Sequence, residues 1–161
     1  MNTTAISTPD TSCPLCQDNN EHVLWRNDRL RVILIDGTDF PGYTRVIWNK
    51  HVAEMTQLSA PARSEVMGIV WRVEQSQRDT LRPDKINLAQ LGNMVAHLHW
   101  HIIPRWRNDT HFPEAIWATA ATRSDAQQRE WDARQGEIID ALPAYCALLK
   151  ESLDSMLAPA R

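Results

Sequence analysis

The sequence predicts an α+β fold: an antiparallel β-sheet with one long helix, followed by a helical C-terminal extension. Three observations predict it. Short β-type runs are joined by tight turns, which suits antiparallel pairing. A single stretch after Ser59 carries an apolar stripe of helical period. From Ser124 onward the helical spacing returns and runs almost to the end. At 161 residues the chain reads as one domain, long enough to bury a core.

Residues 22–26 and 29–35 read as two strands around Asn27-Asp28. The second becomes continuously apolar, as in a strand covered on both faces, and ends at the turn Asp36-Gly37. After the turn Phe40-Pro41-Gly42, residues 43–48 form the next strand. Ser59-Ala60-Pro61 opens the helix, with Ser as N-cap and Pro in the first turn. Val66, Met67, Val70 and Val73 supply its stripe, Gln75, Arg78 and Asp79 its solvated face, and Pro83 ends it. Residues 85–90 alternate, with Ile86 and Leu88 on one face and Asn87 on the other, where it can face a site. Gly92-Asn93 turns the chain into a strand at 97–103, read as ending at Pro104. A polar and aromatic loop follows, with a short extended piece expected at 116–118. Ser124-Asp125-Ala126-Gln127 is a capping-box pattern. Trp131, Ile138 and Leu142 mark a first helix, and Pro143 is expected to split off a second carrying Tyr145, Leu149, Leu153 and Met156.

Composition excludes several classes. The formal charge of −3 offers no polybasic arm for nucleic acid or a membrane surface. No apolar run approaches the roughly 18 residues of a membrane span. Residues 1–12 are polar, lack a signal-peptide pattern and read as a disordered lead-in to a cytoplasmic protein. Three cysteines suit no disulfide framework; Cys13 and Cys16 form Cys-Pro-Leu-Cys, and Cys146 reads as packing.

The chemistry concentrates in His97-Leu98-His99-Trp100-His101-Ile102-Ile103, which holds three of the six histidines. On a strand the histidines share one face and Leu98, Trp100 and Ile102 fill the core on the other. His97 and His101 are then about 13 Å apart. Three imidazoles on one face serve either of two chemistries. One is a hydrolytic metal site, although an extended row strains to reach one ion. The other is nucleophilic catalysis at phosphorus, with a neutral imidazole attacking and donors on either side neutralising the phosphate oxygens. The middle residue, His99, is best placed as nucleophile.

This stretch resembles the signature of the histidine triad (HIT) superfamily, His-x-His-x-His-x-x with apolar x. The resemblance extends over residues 13–106, with Pro41-Gly42-Tyr43 similar to the family's Pro-x-Gly-His stretch and Lys50-His51 to its Pro-Lys-x-His element. It implies a HIT-like antiparallel sheet with a long helix, organised as a HIT domain at 13–120 and an extension at 121–161. It also implies a homodimer that cleaves at the α-phosphate of a purine nucleotide conjugate, either a dinucleoside polyphosphate such as a diadenosine polyphosphate or a nucleoside phosphoramidate. By resemblance His99 forms a nucleotidyl-histidine, supported by His101 and His97. Asp36 holds ribose hydroxyls, and Asn87 and Asn93 contact ribose and phosphate. Met94 stands where the family often has Ser or Thr, so one hydroxyl donor is missing.

Many bacterial members begin with Cys-x-x-Cys and bind zinc through it and two histidines. The matching residues here are Cys13, Cys16, His51 and His97, a closed structural Zn2+ set. No cofactor is then needed for the chemical step. Beyond the motif, Arg105 or His111 is expected to meet the outer phosphates or leaving group, and Trp106 or Trp117 to cover the base. Two rival readings are a metal-dependent hydrolase ligated by the three histidines and a nucleotide-binding module with little turnover.

Overall fold

Among the described residues five antiparallel strands make one sheet: β1 (His22–Arg26), β2 (Leu30–Leu34), β3 (Thr44–Trp48), β4 (Lys85–Ala89) and β5 (His99–Arg105), in the order β1-β2-β3-β5-β4. The computed structural model describes residues 11–17 and 20–157. Most of the lead-in expected at 1–12 therefore lies outside the described residues. The long α-helices of the described residues, α1 (Ala60–Thr80) and α2 (Asp125–Leu157), pack together over one sheet face.

Side-chain alternation divides the sheet into a core face and a site face. Val32, Val46, Leu98, Ile102 and Ile86 join Val66, Val70 and Val73 of α1 in the main core. The opposite face holds a small second cluster of Phe40, Tyr43 and Ile103. Gly42 lets α1 approach. Its φ of +86° suits glycine, and a Cβ there would stand 2.4 Å from Leu81 Cδ1.

Three elements differ from expectation. Strand β5 starts at His99, so His97 precedes it, and it runs through Pro104 to Arg105. The β3 ladder stops at Ile102, so Pro104 has no β3 partner to lose. Helix α2 is continuous through Pro143. An internal proline costs about 3 kcal/mol. Trp131, Ile138, Tyr145, Leu149 and Leu153 are all buried in the main core, each contributing about 1.5–3 kcal/mol, and this outweighs that cost. Residues 116–118 form a turn closed by Ala118 N–H to the Ala115 carbonyl at 3.0 Å, not an extended piece.

The helix caps follow the local sequence. Ser59 is the N-cap of α1 with Pro in its first turn. Helix α1 stops at Thr80, before Pro83, because Arg82 takes φ +50° and a residue before proline disfavours the helical region. The capping box at the start of α2 forms, with Ser124 N–H donating to Gln127 Oε1 at 2.9 Å and Gln127 N–H to Ser124 Oγ at 3.3 Å. Among the described residues no helix is long and apolar enough to cross a membrane.

Candidate functional site

The three histidines do not act as one row. His97, just before β5, turns away from the other two and meets the N-terminal loop. Its Nδ1 lies 3.4 Å from the Sγ atoms of both Cys13 and Cys16. Cys16 Sγ is 3.3 Å from His51 Nδ1. These four donor atoms all lie within 4.8 Å of one another. The loop is seated by Arg31, which is buried, pairs with Glu21 at 2.6 Å and donates to the Leu15 carbonyl at 2.9 Å.

The donor set fits a zinc ion. Zinc–sulfur and zinc–nitrogen bonds of about 2.3 and 2.0–2.1 Å at tetrahedral angles place sulfur and nitrogen about 3.6 Å apart. The tautomer of His97 also fits. Its Nε2 lies 2.6 Å from the Trp48 carbonyl, which can only accept, so the proton sits there and Nδ1 keeps a lone pair toward the sulfurs.

His99 and His101 face a separate cleft of about 590 Å³, lined also by Arg45, Asn93, Met94, Trp117, Leu91 and Leu15. His99 Nδ1 lies 2.5 Å from the His97 carbonyl oxygen. By the same reasoning Nδ1 carries the proton and Nε2 is left with its lone pair. Burial is the main reason its pKa is lowered, against the backbone hydrogen bond; the Arg45 charge lowers it further. His99 is therefore a neutral imidazole with a free nitrogen, as a nucleophile must be.

His101 is governed by Tyr43 and Arg45 on β3. Arg45 Nε donates to the Tyr43 hydroxyl oxygen at 3.2 Å, and that hydroxyl contacts His101 Nδ1. Because Tyr43 already accepts from Arg45, its own proton goes to His101 Nδ1, and Nε2–H becomes the donor of this ring. Burial pushes the His101 pKa down to about 3, helped by the His99 and Arg45 charges. The rings of His99 and His101 are 4.7 Å apart, and Trp117 stands edge-on to His101 at 5.2 Å.

The other expected residues are scattered. Asn93 lines the cleft. Asn87 is on the site face, but its carbonyl oxygen accepts from Arg105 at 2.8 Å. Arg105 needs correcting as a phosphate contact: it is 1% exposed and locked to Asp109 by bonds of 2.7 and 3.0 Å. Asp109 also accepts backbone N–H groups of Trp106, His111 and Phe112, so the pair ties the loop after β5. Burial acts to raise the Asp109 pKa, but Arg105 and these N–H groups hold it below the usual carboxylate value. Asp36 is exposed, bonds His22 Nδ1 at 2.8 Å, and is not among the residues that line this cleft. His111 contacts Thr110 Oγ1 at 2.8 Å and the Phe40 ring at 5.4 Å, and Trp106 is buried in the main core. Sequence reading gave no role to Arg45. Its signal was a charged residue in mid-strand, opposite in parity to the core residues Val46 and Trp48.

The HIT domain family model matches residues 17–108. An AP-4-A phosphorylase of Mycobacterium tuberculosis is 26% identical over 110 residues, which cover 65% of this chain and 56% of that protein. The chain thus spans little more than half the length of this relative. A histidine triad protein of Marinobacter aquaeolei superposes with a TM-score of 0.57 at 22% identity, over 74% of this chain and 89% of that one. A HIT family member of Bacillus subtilis does so at 0.55 and 20% identity, over 78% and 95%. These two show a shared fold.

Proposed function

The chain belongs to the HIT domain family, and on that basis we propose that it is a nucleotidyl hydrolase or transferase acting at the α-phosphate of a nucleotide conjugate. The observation that carries this reading is the hydrogen bond from His99 Nδ1 to the His97 carbonyl, which leaves His99 Nε2 as a lone-pair nitrogen in the cleft. His99 Nε2 attacks the α-phosphorus, a phosphorus–nitrogen bond forms, and the bond to the leaving group breaks. Water or another acceptor then attacks the same phosphorus and the histidine departs with its lone pair restored. His101 Nε2–H donates to the oxygens that gain charge or to the departing atom. Asn93 supplies a further polar contact where Met94 provides no hydroxyl.

The substrate class in this reading is a dinucleoside polyphosphate or a nucleoside phosphoramidate. The likeness to an AP-4-A phosphorylase supports the first. Cys13, Cys16, His51 and His97 would hold a structural zinc ion, which would cross-link the N-terminal loop to the segment preceding β5. His97 thereby serves as an anchor: its side chain holds the loop and its carbonyl orients His99.

The test is turnover of diadenosine tetraphosphate and adenosine phosphoramidate by wild type and His99→Ala, with denaturing mass spectrometry for the nucleotidyl-protein. Wild type turns over and forms the adduct; His99→Ala loses at least about a thousandfold in rate, as removal of a covalent nucleophile does. Equal rates in the two proteins would remove the mechanism. Loss of activity on chelation with the fold retained would support a metal-dependent hydrolase instead.

A further inference from the structure

Arg45 differs from every other arginine near the cleft. Arg31 is paired with Glu21 and Arg105 with Asp109, while Arg107 lies on the surface 3.6 Å from Asp84. Arg45 projects from β3 into the cleft and is half-buried. It uses Nε for the Tyr43 hydroxyl, and its guanidinium carbon is 5.5 Å from the Tyr43 ring centroid. Among the described residues neither of its Nη nitrogens has a hydrogen-bond partner, and no carboxylate pairs with it. The outer edge of its guanidinium is thus open to the cleft, where an anion can replace water with charge-assisted hydrogen bonds.

The position of this fork is specific. Across the sheet, Arg45 is paired with His101, whereas the residue paired with His99 is Ile47, which has no donor. Arg45 is therefore a direct neighbour of His101 and a diagonal one of His99, at roughly 7–8 Å between backbones. A planar guanidinium with its outer edge free matches the geometry of a phosphate group, which it grips through two parallel bonds.

We infer that Arg45 is the phosphate-binding residue of this cleft, and that it grips a phosphate beyond the one His99 attacks. The cleft then selects substrates with a polyphosphate chain over those with a single phosphorus. This inference rests on the nucleotidyl-transfer reading for its substrate class, but the anion site itself does not.

Two measurements test it, on wild type, Arg45→Leu and Arg45→Lys, each checked for an unchanged melting temperature. The first is calorimetric binding of inorganic pyrophosphate. It binds wild type, weakens about tenfold or more in Arg45→Leu as expected for loss of a charge-assisted pair, and recovers in part in Arg45→Lys, which keeps the charge without the fork. The second is the ratio of kcat/KM for diadenosine tetraphosphate to that for adenosine phosphoramidate, which falls about tenfold in Arg45→Leu even though both activities drop. Equal losses on the two substrates with pyrophosphate binding unchanged would overturn the inference and leave Arg45 as a support for Tyr43. Absence of pyrophosphate binding by wild type would overturn it as well. If wild type turned over neither nucleotide, the proposed function would fail, while pyrophosphate binding that depends on Arg45 would still uphold the anion site.

Discussion

The hydroxyl of Tyr43 on β3 contacts Nδ1 of His101 on β5 while receiving Nε–H of Arg45. One hydroxyl thus joins the strand carrying the cleft's cation to the strand carrying its histidines, and it sets which nitrogen of His101 bears a proton.

Tyr43→Phe removes that link while preserving the ring in its cluster with Phe40 and Ile103. The expected result is a fall in kcat of about 10- to 100-fold, the range for a mispositioned acid–base group, with a loss of about 1–3 kcal/mol in unfolding free energy because His101 Nδ1 is left buried without its donor. Tyr43→His, the residue usual in the resemblance, restores part of the rate because its ring can again bond His101. A Tyr43→Phe protein with wild-type kcat would show that the hydroxyl does not orient the imidazole.

His101 remains neutral at physiological pH because burial, with the Arg45 charge and, at low pH, a protonated His99, holds its pKa at about 3. Unfolded, the same ring titrates near 6.5. As pH falls from about 6.5 toward 3, the unfolded chain takes up a proton that the native ring refuses, so this group's contribution to stability is lost across that window. Imidazole nitrogen shifts by NMR should show no titration of His101 above pH 5, with an upward shift of its pKa in Arg45→Leu. A midpoint near 6.5 in the folded wild type would contradict the burial account.

Zinc should copurify with the chain in the absence of chelator and be missing from Cys13→Ser, as read by elemental analysis. Because structural zinc sites supply folding free energy, the variant should lose several kcal/mol in denaturant unfolding. Metal-free wild type of unaltered stability would remove the zinc assignment.

Arg105 and Asp109 should behave as scaffold. Arg105→Leu leaves the Asp109 carboxylate buried without its cation, and breaking a buried pair in this way costs about 3–5 kcal/mol. Urea unfolding measures it. A stable Arg105→Leu protein with a raised KM alone would return Arg105 to the list of substrate contacts.

Much of the fold was legible in local pattern. The alternation of Leu98, Trp100 and Ile102 against the histidines, the stripe of Val66, Val70 and Val73, and the Ser124–Gln127 cap each report a periodicity or a hydrogen bond within a few residues. Structure departs from local pattern where packing outweighs local preference. Pro143 sits inside α2 because Tyr145 and Leu149 are buried beyond it, and Pro104 sits inside β5 because β3 has already ended.

By itself the sequence determined the sheet-and-helix class, the cysteine and histidine pattern, and the strand that bears His99 and His101. Tertiary structure decided how those groups divide. His97 turns to Cys13 and Cys16, Arg105 is consumed by Asp109, Asp36 bonds His22 at the surface, and Arg45 reaches the cleft with donors to spare. The physical reason is that hydrogen-bond pairing and burial depend on neighbours far away in the chain. His97 and Cys13 are 84 residues apart, and Tyr43 and His101 are 58. Spacing along a strand carries the direction of a side chain but not the partner waiting for it.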